Sequence, residues 1–412
     1  MSKSSHNLYE VCTFPIAIRT PLLPIESICD IYSADDAFAT LREALLTTPL
    51  IRQAILVASP SLARGAEDWC NAVAGTKTTI PVRVLAYLAR MAARTTPYGL
   101  CAGIGIVKAG DETNLQLDLA SRRTRTRGDM NLMAELIRTV ERSPVRGKIR
   151  YQRNDAVFRR GGRLYIANVL LANQMRNRAD QRPVTLRETE AVRFVRDITS
   201  VPQSYDEIAE RLCARFNEPA PEAQRLLDAL IESGLLISEL RVSPVGEPAK
   251  QLLDRLSEID EAVAQRVNHA VTGAKTIDLQ PVGERSSQAY AEMSEAFSSL
   301  VEEYSSAPLQ VDMHAPCSGT LSAGVLADVS RLGEYLMRLG CEQSLKTFRN
   351  RFIERYEGRE RLVPLLELVD ENLGLGNVDG LEVVDDDNSW ARDGLLARIL
   401  CDALRSGSEE VE

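Results

Sequence analysis

Arginines offer the most chemistry in this sequence. Arg83, Tyr87, Arg90 and Arg94 are separated by four, three and four residues, so on a helix they share one face. Guanidinium groups in such a row repel one another by roughly a few tenths of a kcal/mol per pair unless a carboxylate or phosphate lies opposite, and the planar fork can hold two oxygens of such a group at once. The face is either an anion site or a solvated basic stripe. The stretch from Arg122 to Arg163 adds 13 basic side chains against four acids in a chain whose net charge is −9. That island implies focused contact with an anionic partner, or arginines solvated on helix and strand faces.

Other chemistries lack raw material. The three histidines, His6, His269 and His314, show no HxxxH or HxxE spacing, which argues against a metal site and against a Ser-His-Asp triad. His314, two residues past Asp312, reads as a loop or strand-end residue. The eight cysteines are scattered without a CxxC pair and read as reduced thiols. Asp385-Asp386-Asp387 does not fit an EF-hand and reads as a solvated loop. Gly99, Gly103 and Gly105 lack the third glycine of a dinucleotide loop and continue as Ile-Val-Lys; they suit tight turns or close backbone approach.

The elements that must position these residues are partly legible. Pro15, Pro21 and Pro24 favour an extended opening segment. A helix is expected over Ala37–Leu46. Another starts at Pro81, runs to Arg94 and stops at Thr95-Thr96-Pro97. From Lys148 to Val169 two alternating runs flank Gly161-Gly162, a hairpin pattern. Helices follow over Glu188–Ile198, from the capping box Ser204/Glu207, and over Pro221–Glu232 before the apolar run LLISELRV. Farther on, the pattern predicts helices over Ser257–Ala274, Glu292–Tyr304, Ala327–Tyr356 and Ala391–Leu404, with strands over Lys275–Gln280 and LQVDMHAP.

The expected fold is α+β: mixed sheets with packed helices and an embedded winged-helix-like module. The third helix of that module sets Glu222, Asp228 and Glu232 against Arg225, a net negative face that opposes DNA phosphate. A hairpin edge beside it would instead accept a peptide as an added strand. At 44% hydrophobic and 26% charged, the 412 residues suit a packed body of two or three cores. No apolar run is long enough to span a bilayer and no secretory signal opens the chain, so no integral membrane segment and a cytoplasmic location are expected.

The string ARTTPYGLCAGIG, with Arg90 four residues before Arg94, resembles the R-x-x-x-R-x-T-P-[FY]-G-L-[FC]-A-G segment in the glutamylation domain of lanthipeptide-type dehydratases. FPIAIRTPLLP, RTRTRGDMNLM, LQVDMHAP and FIERYEGRERLVPLLELVDENLGLG resemble further family segments in the same order. The resemblance implies transfer of glutamate from glutamyl-tRNA to Ser or Thr hydroxyls of a ribosomally made precursor peptide, as in lanthipeptide and thiopeptide antibiotic biosynthesis. It implies no cofactor, with glutamyl-tRNA as co-substrate.

By position, the family roles fall on Arg90, Arg94, Thr96, Asp129 and Asp312 as catalytic residues. Arg19, Arg83, Arg123, Arg125 and Arg127 are the expected tRNA- and donor-binding residues. Leu164, Tyr165, Ile166, Leu226 and Leu230 are the expected peptide-binding residues of a leader-recognition element at residues 147–245, between an N-terminal part, 1–146, and an α+β continuation, 246–412. The resemblance covers only the first part of the glutamylation domain and no elimination domain. Its implied partners are a precursor peptide, glutamyl-tRNA, a second subunit completing the domain and a separate elimination-domain protein; the alternative is an inactive leader-binding scaffold.

Overall fold

A computed structural model describes residues 15–72, 79–118, 120–166, 184–302, 304, 306–339 and 343–357, with short stretches at 362–368, 374–375, 394, 397–399, 401–403 and 405–406. Strand β1 (Ile16–Pro21) precedes helices α1 (Glu26–Ser33), α2 (Ala37–Thr47), α3 (Pro49–Ala58), α4 (Pro60–Asn71) and α5 (Ile80–Ala93). Strands β2 (Gly99–Gly110), β3 (Asn114–Leu117) and β4 (Arg123–Gly128) follow, then helix α6 (Met130–Glu141). The boundaries have local causes. Asp36 caps α2 by accepting from the amides of Phe38 and Ala39, and Pro81 lies in the first turn of α5, where a missing N–H costs nothing.

The middle of the chain carries β5 (Arg150–Arg153), β6 (Phe158–Arg160), β7 (Arg163–Ile166) and β8 (Val184–Arg187), then α7 (Glu190–Ile198), β9 (Gln203–Ser204), α8 (Tyr205–Phe216), α9 (Ala220–Glu232) and β10 (Leu236–Ser238). The expected hairpin is β6–β7. Gly161 and Gly162 turn it with φ of 54° and 74°, a left-handed pair open to glycine. The capping box of Ser204 and Glu207 forms as read, with both reciprocal bonds present. The first alternating run is two strands, β5 and β6, in different sheets; the unexpected β8 pairs with β7 to make a three-stranded sheet β6–β7–β8, and β5 is the middle strand of a second sheet, β10–β5–β9, whose β9 was also unexpected.

The remainder contains α10 (Pro248–Ile259), α11 (Glu261–Asp278), α12 (Ser287–Ser298), β11 (Leu309–His314), β12 (Cys317–Ser322), α13 (Ala323–Leu339), α14 (Gln343–Tyr356) and α15 (Leu365–Leu368). Three expectations are corrected here. The helix read over Ser257–Ala274 is two, broken at Asp260, whose carboxylate caps α11 at Val263. The strand read over Lys275–Gln280 is instead the last turn of α11 as far as Asp278, and the long helix over Ala327–Tyr356 is divided into α13 and α14. Half of the expected final helix, Ala391–Leu404, lies outside the described residues, and the residues described within it are helical.

The chain packs as two compact units, 17–107 with 115–318, and the described parts of 1–16, 108–114 and 319–412. In the larger unit β11 lies parallel to β2 and antiparallel to β4, and β1 pairs with β2. Gly103 and Gly105 are interior to β2, and a Cβ at either would meet Ala315 at 2.8 and 2.6 Å. They permit close backbone approach and form no phosphate loop. Arg285, its side chain fully buried, donates to the backbone of Gln280, to Thr124 Oγ1 and to Tyr290 OH. That network ties the end of α11 to β4 and α12. In the smaller unit Lys108–Gly110 pairs in parallel with Thr320–Ser322.

Candidate functional site

The site begins at the end of α5. The helix buries Val84, Leu88 and Met91, which leaves Arg83, Arg90 and Arg94 on the outer part of its circumference. Arg90 is half-buried. Its guanidinium lies 4.6 Å from the centre of the Tyr98 ring, and its Nε is buried without a hydrogen-bond partner. Tyr98 is anchored by donating to the Ala58 carbonyl at 3.2 Å, so the turn Thr95–Tyr98 holds the ring against the guanidinium. Burial, with Tyr98 beside it, raises the Tyr87 phenol. Burial likewise pushes the Cys101 thiol up to about 11 against the opposing field of Arg90, so Cys101 stays a neutral packed thiol.

A second arginine flanks the same place. The amide of Leu22 donates to Cys101 and that of Leu23 to Met91, so the chain leaving β1 is laced between β2 and α5. Arg122 reaches across to donate to the Leu22 carbonyl at 3.0 Å. Its Nε is also buried without a partner, and burial lowers its pKa from the ordinary arginine value. Sequence reading passed over Arg122 because its reach depends on strand pairing alone. Arg94 and Thr96 are exposed, as are Arg19, Arg83 and Arg123; none of the four arginines meets a carboxylate among the described residues.

Strand β4 reads Arg-Thr-Arg-Thr-Arg, and the period of two separates its roles. Thr124 and Thr126 point to Asp278, whose oxygens accept from both hydroxyls and from the Thr126 amide. The arginines face the other way. Arg127 presents Nε and Nη2 to Asp312 Oδ2 at 3.2 and 3.0 Å, and Gln310 donates to the other oxygen at 3.2 Å. The antiparallel register places Asp312 opposite Arg125, so the ion pair is a diagonal one. Arg125 turns to Glu247 at 3.0 Å and to the Gly246 carbonyl. Of the expected site residues, the structure therefore joins Arg127 to Asp312. It places Asp129 differently: its carboxylate caps α6 at Asn131 and accepts from the Tyr304 hydroxyl, both at 2.8 Å.

The expected peptide-binding residues also fall into two groups. Leu164, Ile166 and Leu230 are core side chains, and β7 is a middle strand with β6 and β8 on either side. A peptide edge on this sheet belongs to β6 or β8, not to β7. Tyr165 faces outward, stacked on Phe158 at 5.1 Å with the rings 11° apart, and Leu226 is half-buried on α9. Elsewhere a cavity of about 680 Å³ between α11 and α12 is lined by Arg266, His269, Glu292 and Glu295. Among the described residues no group of three or more His, Cys, Asp or Glu could hold a metal ion, and no helix is long and apolar enough to cross a membrane.

Over residues 47–412 the chain matches the family described as lantibiotic dehydratase, N terminus. Subtilin biosynthesis protein SpaB of Bacillus subtilis is 27% identical over 351 residues, covering 81% of this chain and 32% of SpaB. Among solved structures, the tRNA dependent lantibiotic dehydratase MibB from Microbispora sp. 107891 is similar with a TM-score of 0.65 at 24% identity, over 87% of this chain and 35% of MibB. The glutamylation domain of TbtB, from thiomuracin biosynthesis, is similar with a TM-score of 0.53 at 16% identity, over 80% of this chain and 40% of that one. At these identities the structural likeness concerns the fold, and the chain spans 32% of SpaB and 35% of MibB.

Proposed function

The chain belongs to the lantibiotic dehydratase N-terminal family, and from that premise we propose that it takes part in tRNA-dependent glutamylation of Ser and Thr hydroxyls on a ribosomally made precursor peptide. One observation carries the reading: α5 ends in arginines that meet no carboxylate among the described residues, with Arg90 stacked on the Tyr98 ring. A guanidinium kept half-buried and unpaired retains its attraction for an anion that arrives later. Glutamyl-tRNA carries two kinds, backbone phosphate and the glutamyl γ-carboxylate.

The proposed reaction exchanges one ester for another. The peptide hydroxyl oxygen bonds to the glutamyl carbonyl carbon, the bond from that carbon to the ribose oxygen breaks, and the hydroxyl proton ends on the ribose oxygen. Because the bonds are nearly balanced, rate comes from positioning and from stabilising the oxyanion of the tetrahedral transition state. In this scheme Arg90, Arg94 and Thr96 hold the donor. Asp312 keeps the Arg127 fork fixed in front of β11. No resident cofactor enters the scheme, and it places the protein in the cytoplasm, where charged tRNA is available.

The scheme also includes partners. A precursor peptide docks through its leader on the β6–β7–β8 sheet, a second polypeptide completes the glutamylation domain, and elimination of glutamate falls to a separate protein. Supporting the second polypeptide, Val325, Val329, Leu332 and Leu336 form an exposed stripe on α13 at intervals of four, three and four residues, the spacing that seats against another helix. The test incubates the chain with that partner, precursor peptide and glutamyl-tRNA and weighs the peptide. A glutamyl mass increment that disappears with Arg94→Ala is expected. Peptide binding without any increment, under every partner combination, would leave only a scaffold role.

A further inference from the structure

An arginine with no carboxylate to fix it samples many rotamers, and ordering it when a ligand arrives costs conformational entropy. Arg90 meets no carboxylate among the described residues, yet it is not left loose. Its guanidinium carbon lies over the Tyr98 ring, 4.6 Å from the centre, and its Nε is buried without a partner. A carboxylate in the place of that ring would cancel the positive charge. A π face attracts the charge and leaves it uncancelled, so the side chain is ordered while its charge stays available to an anion from outside.

Tyr98 is itself fixed from three directions. Its hydroxyl donates to the Ala58 carbonyl at 3.2 Å. Ala58 is the last residue of α3, where carbonyls lack an intrahelical donor, and α4 opens two residues later with Pro60, which has no N–H to offer. The Tyr98 carbonyl accepts from the Cys101 amide at 3.0 Å. Gly99 between them takes a φ of 55°, the left-handed region that favours glycine, and a Cβ there would meet Val57 Cγ1 at 3.0 Å. Tyr87, three residues before Arg90 on α5, also lies beside Tyr98. The Tyr98 side chain nonetheless sits in a residue that is 43% exposed. A ring so open fills little of the core; what its anchors fix is its place over Arg90.

We propose that Tyr98 is a positioning residue for glutamate transfer, its anchored ring presetting the Arg90 guanidinium for the anionic donor. This rests on the reading above that Arg90 holds the donor. It adds that the arrangement stands before glutamyl-tRNA arrives, so the arginine need not be ordered during binding or in the transition state, where a misplacement of about 1 Å costs about 100-fold in rate. Tyr98 makes no bond to the substrate in this scheme and acts through Arg90 alone.

Initial transfer rates at limiting glutamyl-tRNA, with the full chain and its partner polypeptide, test it in wild type, Tyr98→Leu, Tyr98→Phe and Arg90→Ala. Tyr98→Leu is expected to lower kcat/KM for glutamyl-tRNA by about tenfold or more, with the KM for precursor peptide and the thermal melt unchanged. Tyr98→Phe keeps the ring and should recover most of that loss. Adding Tyr98→Leu to Arg90→Ala should leave filter binding of glutamyl-tRNA at the Arg90→Ala value, because the guanidinium through which the ring acts is gone. A further weakening in that double variant, or a Tyr98→Leu loss matched by a lower melt, would make the tyrosine a structural residue and overturn the proposal. A wild-type rate in Tyr98→Leu with Arg90→Ala inactive would overturn the positioning role alone, and a wild-type rate in Arg90→Ala would overturn the reading beneath it.

Discussion

Two arginine clusters lie in the larger unit, and they are built in opposite ways. Arg159, Arg193 and Arg196 converge on Glu188, whose side chain is 3% exposed, at 2.6, 3.9 and 2.8 Å. Along the outer side of α5 and beside it, Arg83, Arg90, Arg94 and Arg122 meet no carboxylate among the described residues, and two of them bury an Nε without a partner. A cluster closed by its own acid does its work in the fold, pinning the start of α7 to β6. A cluster left open carries repulsion and desolvation that the Tyr98 ring and the Leu22 carbonyl offset without supplying a charge, which is the arrangement expected where an anion is supplied from outside.

The comparison can be broken most sharply at the open cluster. Arg94→Ala should lower glutamate transfer by about 100-fold or more, as removal of a transition-state or donor contact does, while the thermal melt stays at the wild-type value; transfer assays and calorimetry on the same preparation check both halves. At the closed cluster the effects reverse. Glu188→Ala should cost roughly 1–3 kcal/mol of stability, less than a fully buried pair because Arg159 and Arg193 are more than half exposed and return to water. Chemical denaturation reads the loss, and a midpoint unchanged from wild type would show that Glu188 does not hold α7 to β6.

The smallest effect sharpens the contrast from the acid's side. Glu141 is half-buried, but its bonded partner is the Ser238 hydroxyl and not an arginine fork, and burial raises its pKa above the ordinary 4.5. The folded state then binds a proton more tightly than the unfolded state, so wild-type stability falls as pH climbs from about 4.5 through the raised value. Glu141→Gln keeps an acceptor for Ser238 and removes the titration. Its melting temperature should exceed wild type by a few degrees at neutral pH, with the gap closing in acid; a constant gap across pH would refute this assignment.

How much of this was legible in the sequence depends on distance along the chain. The α5 face, its stop at Thr95-Thr96-Pro97, the β6–β7 turn and the Ser204 capping box follow from spacing and local propensity, and the structure holds all four. Asp129 and Asp260 precede helices and cap them, a signal present in the local sequence. Lys275–Gln280 has the look of a strand, yet Lys275–Asp278 continues α11 with Ile277 buried. The Arg127–Asp312 pair, the reach of Arg122 to Leu22 and the convergence on Glu188 were not legible, because each depends on which strands pair and in what register. The diagonal pairing of β4 with β11 has no trace in either strand's own sequence.

The central claim is that the open cluster receives the donor. Its most direct test is the initial rate of glutamate transfer to the precursor peptide by wild type and Arg90→Ala, each completed by the partner polypeptide and saturated with glutamyl-tRNA. The account predicts a peptide that gains glutamyl mass with the wild-type chain and gains almost none with an equally stable Arg90→Ala chain. Transfer by Arg90→Ala at the wild-type rate would contradict it.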